Sequence, residues 1–302
     1  MSELSHTVQM RRRDPARIAR RSMLAPLIVF LFIVSIFPIA FALVMSFTNF
    51  KLGSTAEVGF VGLENYIRLL QDPKMVATFG RTFVLLIVAL PIQLIVGFLI
   101  AKVFYQVRNV PGSALIRTLY LLPVMLPEIV VGLLFSYMMN ARIGIVGWVL
   151  GELGLPRPDF FGDPSIVLFS IILLIAWQWT PLAATVLYGG LLGIPSDIRE
   201  AAAIDGAGRI RQVFSLELPL LRKVVGLVVL LVGLQLVGTF AAVYVTTQGG
   251  PGSSSTVISY ELYQQAFVFF NTGLGSALAI LTLIAVTVLS QIVVRAVFKE
   301  EK

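Results

Sequence analysis

Between Asp163 and Asp197 this chain carries no charged side chain, and the same holds between Lys223 and Glu261 and between Glu261 and Arg295. Uncharged apolar runs of that length have few places to go. A bilayer's hydrocarbon core is about 30 Å thick, and a helix rising about 1.5 Å per residue crosses it with roughly twenty apolar residues. Applied to the whole chain, this criterion gives six candidate spans, at 23–47, 78–103, 118–139, 165–192, 222–246 and 273–297. Composition agrees: 57% of the residues are hydrophobic and 13% charged, where a soluble domain is roughly a quarter charged. The expected fold is an all-α polytopic membrane protein with six transmembrane helices.

The first apolar run follows the basic segment "RRRDPARIARR", as the core of a signal peptide would. It continues to Phe47 without a charge and offers no small-residue cleavage site, so it reads as a signal-anchor helix. Lys and Arg set the orientation, because they accumulate in cytoplasmic segments. With the N-terminus inside, 17 of the 23 lie in cytoplasmic segments: at 11–21, at Lys102, Arg108 and Arg117, at 199–223 and at 295–302. The external segments hold Lys51, Arg68, Lys74, Arg81, Arg142 and Arg157. Both termini are expected in the cytoplasm. The chain then divides into a basic tail (1–22), a first helix with its external loop (23–75), a transmembrane domain (76–297) and a short tail (298–302). No internal repeat or low-complexity segment stands out. Outside, "EVGFVGLENYIRLLQDP" at 57–73 predicts a short amphipathic helix ending at Asp72-Pro73. "GELGLPRPDFFGDP" at 151–164 and "TTQGGPGSSST" at 246–256 read as loops, since Gly, Pro and Ser favour turns.

The same counts exclude several chemistries. With no cysteine, disulfides, thiolate metal sites and cysteine nucleophiles are unavailable. The one histidine, His6, lies in the polar tail, so no histidine-based metal site or triad is expected. A net charge of +7 does not indicate nucleic acid here, because the arginines flank spans and lack interleaved aromatics.

The most polar loop inside the apolar region, 195–219, has its own pattern. Asp197 followed three residues later by Glu200, with Pro195-Ser196 before them, resembles a capping box. Ala201, Ala202 and Ala203 favour helix and leave room for another backbone to approach. Asp205-Gly206 supplies a turn, since glycine tolerates positive φ. From Arg209, residues Ile210, Val213 and Phe214 recur at helical spacing, and Pro219 marks entry to the next span. The prediction is two short helices around a glycine turn. Composition alone is equally served by an interfacial loop that merely connects two spans.

The spacing adds to this. "EAAAIDGAGRIRQVFSLELPLL" at 200–221 closely resembles the EAA signature of binding-protein-dependent ABC importer permeases, through Glu200, Ala201, Ala202, Asp205, Gly206, Ala207, Phe214, Leu218 and Pro219. "WQWTPLAATVLYGGLLGIPSDIREAA", "VTTQGGPGSSSTVISYELYQQAF" and "GFVGLENYIRLLQDP" resemble the sugar-type, first-permease subunits of that family. The likeness covers about 57–295. It implies a type I ABC importer transmembrane domain in the bacterial or archaeal cytoplasmic (inner) membrane. It also implies a second homologous permease, two copies of an ATPase subunit carrying ATP and Mg, and an external solute-binding protein as partners. Glu200 would face a cleft in the ATPase, Ala201 and Ala202 would pack into it, and Gly206 would allow the turn between two coupling helices. This chain has no G-x-x-x-x-G-K-[ST] and hence no phosphate-cradling loop. It is expected to perform no covalent chemistry.

Transporter sites lie near mid-membrane, where polar and aromatic side chains face a cavity. Span four offers Gln178, Trp179, Thr180 and Leu182, and span five offers Gln235, Leu236, Thr239, Phe240 and Tyr244. By alignment with the maltose-type permeases, Gln178, Trp179, Leu182, Gln235, Leu236, Thr239 and Phe240 correspond to positions near the sugar. Amides beside aromatic rings suit a polyhydroxylated ligand. The same residues also serve as glue between helices and as interfacial anchors. Glu128, just after Pro127, is a separate intramembrane acid: a candidate functional group or a partner for a neighbouring helix. The expected solute is a carbohydrate or polyol. A phosphorylated solute is disfavoured for want of an intramembrane Arg or Lys, while Glu128 leaves a partly cationic one open. Rival readings are an ion-coupled secondary transporter, an ABC importer for a glycerol-phosphate-type or other non-sugar solute, and a membrane scaffold or enzyme.

Overall fold

A computed structural model describes residues 24, 26–55 and 57–298. The basic tail expected at 1–22 and the last residues, 299–302, lie outside that range. The described chain is helical, with five candidate spans at Pro26–Ser46, Pro73–Gln106, Val167–Leu192, Arg222–Thr246 and Thr272–Val297. These are spans one, two, four, five and six. Span three is a broken pair, Ser113–Met125 and Glu128–Met138, bent by 92°.

The single helix expected at 118–139 is therefore corrected. Pro127 is the cause, because its ring disfavours helical backbone at the residue before it. Leu126 is accordingly extended, with φ −76 and ψ 138. Span five, also expected unbroken, consists of Arg222–Val237 and Ala241–Thr246 with a non-helical step between them. Elsewhere the expected helices form. The amphipathic one runs Glu64–Gln71, and Asp72 then caps span two by accepting a hydrogen bond from the Lys74 N–H at 2.8 Å.

Spans two and four make the most extensive helix pair. At Gly97 an added Cβ would lie 3.1 Å from the Ala183 Cβ and 3.2 Å from the Ala184 nitrogen, so glycine lets the backbones approach closely where even a methyl group would press its neighbours. Around this contact Leu85, Ala89, Ile171, Ile175, Leu187, Val228 and Val232 form the core. The second half of span one lies against span six. Its outward side chains remain exposed, as do Phe83, Ile95 and Leu99 on span two; such surfaces belong in lipid. The Gly-rich loop at 246–256 is ordered rather than open. Thr256 Oγ1 donates to the Gly249 carbonyl at 3.1 Å, and Arg81 Nε of span two donates to the Thr256 carbonyl at 2.9 Å. A helix at Ile258–Tyr263 follows it.

Candidate functional site

Two regions carry the residues singled out by sequence, and they are built differently. The first is the hairpin that projects from one end of the bundle. Its first helix is Ser196–Ile204. The Ala207 N–H donates to the Ala202 carbonyl at 2.9 Å and the Gly206 N–H to the Ala203 carbonyl at 3.1 Å. That pair of bonds is a Schellman closure, and Gly206 sits in the left-handed region it requires, at φ 75. A second helix, Arg209–Gln212, runs through a wide π turn, Val213–Glu217, into Leu218–Leu220. The two helices and the glycine turn thus form as expected. The capping box does not: Pro195 occupies the cap position and no side chain hydrogen-bonds there, since Asp197 Oδ1 accepts from its neighbour Ser196.

Around the turn three large apolar residues point outward: Ile204 is 87% exposed, Ile210 77% and Phe214 68%. Glu200, Ala201, Asp205 and Pro219 are exposed beside them, with Ala202 and Ala207 half-buried. An exposed apolar patch of this kind marks a surface for another protein or for the membrane interface.

The base of the hairpin holds residues that sequence reasoning counted only as charges. Glu217, with 3% of its side chain exposed, receives Lys102 Nζ at 2.7 and 2.8 Å on its two oxygens. Arg199 Nε stands 3.8 Å from the same carboxylate. Arg199 Nη2 also donates to the Leu191 carbonyl in the last turn of span four at 2.8 Å, and its guanidinium lies 4.0 Å from the centre of the Tyr105 ring. Burial pulls the Arg199 guanidinium below its ordinary value, and the Glu217 charge offsets part of that. The available signal was an acid inside a basic loop, one residue before the apolar Leu218-Pro219-Leu220.

The second region lies where spans three and five break. Gln178, buried in span four, donates Nε2 to the Leu126 carbonyl at 3.0 Å. This satisfies a group the break at Pro127 releases, while Gln178 Oε1 has no partner among the described residues. Across the same break, Glu128 Oε1 accepts from the Ala242 N–H at 3.0 Å, at the start of the second half of span five. A Cβ on Gly132 would overlap Val245, so span three's second half packs tightly on that segment. Thr239 Oγ1 donates to the Gln235 carbonyl at 3.3 Å, and Ser259 donates to the Thr239 carbonyl.

The structure thus brings Gln178 and Glu128 to one break and Gln235, Thr239 and Phe240 to the other. Leu236 and Thr239 are buried, Trp179, Leu182, Gln235 and Phe240 are half-buried, and Tyr244 is exposed. Phe240 and Tyr244 stack at 5.3 Å, with Tyr263 at 5.0 Å from Phe240 and Tyr260 at 6.2 Å. The two added tyrosines were missed because they lie in the segment after the Gly-rich loop. Also missed was Gln93 in span two, fully buried and without a partner for either amide atom among the described residues. A groove of about 550 Å³ between spans two, five and six is lined almost wholly by apolar residues such as Phe79, Phe83, Leu230 and Leu289. It contains none of the predicted substrate residues, and its chemistry suits acyl chains or a helix face rather than a hydroxylated solute.

A bundle of broken and continuous spans with an exposed apolar hairpin at one end defines a membrane-embedded subunit of a larger assembly. Residues 93–300 match the family described as "Binding-protein-dependent transport system inner membrane component", and the chain belongs to that family. It is 32% identical over 260 residues to the sulfoquinovosyl glycerol transport system permease protein SmoG of Agrobacterium fabrum, covering 85% of this chain and 83% of that one. It is 33% identical over 233 residues to the trehalose/maltose transport system permease protein MalF of Thermococcus litoralis, covering 76% and 77%. The sn-glycerol-3-phosphate transport system permease protein UgpA of Yersinia pestis is 32% identical over 241 residues, covering 79% and 80%. Among solved structures, a chain of a bacterial alginate ABC transporter in complex with its pentasaccharide-bound periplasmic protein superposes with a TM-score of 0.76, over 92% of this chain and 94% of that one. At 19% identity this shows the fold. The chain is a multi-pass permease subunit of an ABC importer in the inner membrane.

Proposed function

We propose that this permease carries a neutral carbohydrate or polyol, and that the residues at the two breaks line its path. The observation that supports this is the chemistry gathered there: amides, hydroxyls and stacked aromatic rings, with one carboxylate engaged on a backbone N–H. Amides bond hydroxyls, and rings cover the apolar face of a sugar. Broken helices place such groups in mid-membrane, where backbone at a break faces a cavity rather than lipid. The named relatives are transport-system permeases for sulfoquinovosyl glycerol, trehalose/maltose and sn-glycerol-3-phosphate, which supports a hydroxylated solute.

In this reading both termini and the 195–219 hairpin face the cytoplasm. A second homologous permease completes the pathway, and an external solute-binding protein delivers the solute. Two copies of an ATPase subunit supply ATP and Mg, so this chain has no cofactor and performs no covalent step. Glu200, Ala201, Ala202, Asp205, Gly206, Ala207, Phe214 and Pro219 form the surface the ATPase grips. ATP binding draws the two halves together and turns the cavity outward. Release of the hydrolysis products returns it inward.

The test uses the complete transporter in proteoliposomes with its loaded binding protein. A neutral sugar or polyol is expected to stimulate ATP hydrolysis, and a phosphorylated analogue is not. Gln235→Ala is expected to raise the half-saturating solute concentration about tenfold, the loss of one or two hydrogen bonds at roughly 1 kcal/mol each, with assembly intact. Stimulation only by a phosphorylated solute, or uptake driven by an ion gradient without ATP, overturns the reading.

A further inference from the structure

The hairpin meets the bundle through a compact set of charges, and the geometry of that set goes beyond a docking surface. Glu217 is nearly sealed from solvent, yet both its oxygens are taken by one ammonium, that of Lys102, at 2.7 and 2.8 Å. Lys102 and Tyr105 belong to the end of span two nearest the hairpin. Arg199 belongs to the hairpin's first helix, and Glu217 ends the wide π turn of its second. Arg199 donates Nη2 to the Leu191 carbonyl in the last turn of span four and lies against the Tyr105 ring, while its Nε, 3.8 Å from the Glu217 carboxylate, is a neighbouring charge without a hydrogen bond among the described residues. Both helices of the hairpin are therefore tied to spans two and four at a single point.

The carboxylate is the buried member, with 3% of its side chain exposed against 25% for Lys102 and 13% for Arg199, and a contact to a buried charge differs from an apolar contact in one relevant way. An apolar surface slides at little penalty, whereas a desolvated charge separated from its partner loses the interaction that compensates its burial. Such a contact resists sliding and transmits displacement. From Lys102 the path continues through rigid structure. Gly97 is about one and a half turns away along span two, where span two lies in backbone contact with Ala183 and Ala184 of span four. Gln178 is likewise about one and a half turns from Ala183 along span four, and its amide holds the Leu126 carbonyl at the break of span three.

We propose that the Lys102–Glu217–Arg199 cluster is the transmission contact of the importer, making the hairpin and spans two and four move as one body. Displacement of the exposed tip at Ile204, Ile210 and Phe214 then reaches the break beside Gln178. In this role Lys102, Arg199 and Glu217 are positioning residues. The proposal rests on the importer reading, but its variants are compared with wild type in one preparation. Stimulation of the wild-type complex by loaded binding protein tests that reading by itself, and an unstimulated wild-type complex overturns both.

The experiment has two arms in the complete transporter. Glu217→Gln keeps the shape and removes the charge. The expected result is unchanged assembly and unstimulated ATP hydrolysis, with a maximal stimulated rate at least tenfold lower and an unchanged half-stimulating concentration of loaded binding protein. A purely structural role would lower assembly and all activities together. The second arm exploits the absence of cysteine from this chain. With partner subunits freed of cysteine, Lys102→Cys with Glu217→Cys is uncoupled as made, and bridging the two thiols with a short bifunctional reagent restores stimulated hydrolysis. Full stimulation in Glu217→Gln, or a bridged double variant that assembles and stays uncoupled, overturns the proposal. If Glu217→Gln fails to assemble, the bridged variant decides: restored assembly and coupling support the proposal, and loss of either overturns it.

Discussion

The hairpin at 196–220 and the breaks of spans three and five are both departures from regular transmembrane helix, and they are stabilised by opposite means. The hairpin's tip makes little contact with the rest of the chain. A Cβ added at Gly206 would meet nothing within 4 Å, and Ile204, Ile210 and Phe214 stand in the open. The breaks are satisfied from within the chain, although Leu126, Pro127 and Gly238 themselves are exposed. Their freed backbone groups are taken up by Gln178 and Glu128, and a Cβ on Gly132 would overlap Val245. On the proposed function the tip is a surface for another chain, and it stays open until that chain arrives. A break inside lipid has no water to satisfy it and has to be satisfied by its own protein. Substitutions at the tip are therefore expected to remove function and leave stability, while those around the breaks affect both.

The largest effect tests the packed bundle that supports the breaks. Gly97→Leu forces side-chain atoms into the contact with Ala183 and Ala184, where both neighbours are backbone or short side chain and cannot swing away. Overpacking of this kind typically costs about 1–3 kcal/mol and more where backbone has to move. The expected outcome is failure to recover a folded complex, measured as monodisperse yield and thermal unfolding in detergent. A variant that assembles normally breaks the comparison, since it makes the bundle as yielding as the hairpin.

Gly206→Val comes next and tests the open side. Nothing blocks the side chain, so the penalty is only the left-handed backbone at φ 75, roughly 1–2 kcal/mol for a residue with a Cβ. Because that strain is local to the hairpin, the unfolding temperature of the bundle is expected to stay within a degree or two. Substrate-stimulated ATP hydrolysis is expected to fall at least tenfold. Equal losses of stability and stimulation would show the tip to be part of the bundle's core.

The same contrast explains what sequence conveyed. Hydropathy located the spans because each presents a wide apolar surface, as Phe83, Ile95 and Leu99 do on span two. The turn at Gly206 was legible because its chemistry is local: alanines, then Asp-Gly. The breaks were not legible as breaks. Pro127 and Gly238 are present in the sequence, but Pro91 and Pro181 sit inside unbroken spans, so proline alone does not distinguish the cases. What decides is whether a distant side chain takes up the freed groups, and Glu128 reaches across 114 residues to do so. Lys102 and Glu217 lie 115 residues apart, and only tertiary structure pairs them. The candidate solute residues were found as residue types, whereas their arrangement around two breaks belongs to the fold.

Glu128 sharpens the comparison with the smallest effect. As an intramembrane acid it offers two roles: a group that binds a cation or proton during transport, or an acceptor for the Ala242 N–H that starts the second half of span five. The two separate on the isosteric amide. Gln keeps a carbonyl oxygen able to accept that N–H but carries no charge and does not titrate. If capping is the role, Glu128→Gln is expected to transport at near the wild-type rate with an unchanged pH profile. Glu128→Leu, which leaves the N–H unpaired, is expected to lose about 0.5–2 kcal/mol, the range for removal of a helix cap, seen as a modest fall in unfolding temperature and in uptake together. If transport by Glu128→Gln collapses while its stability holds, the acid acts on the solute or a coupling ion, and the neutral-sugar reading gives way to a cationic or ion-coupled one. The engaged geometry favours the cap: a carboxylate oxygen already 3.0 Å from a backbone N–H has its strongest available partner in place without any ligand.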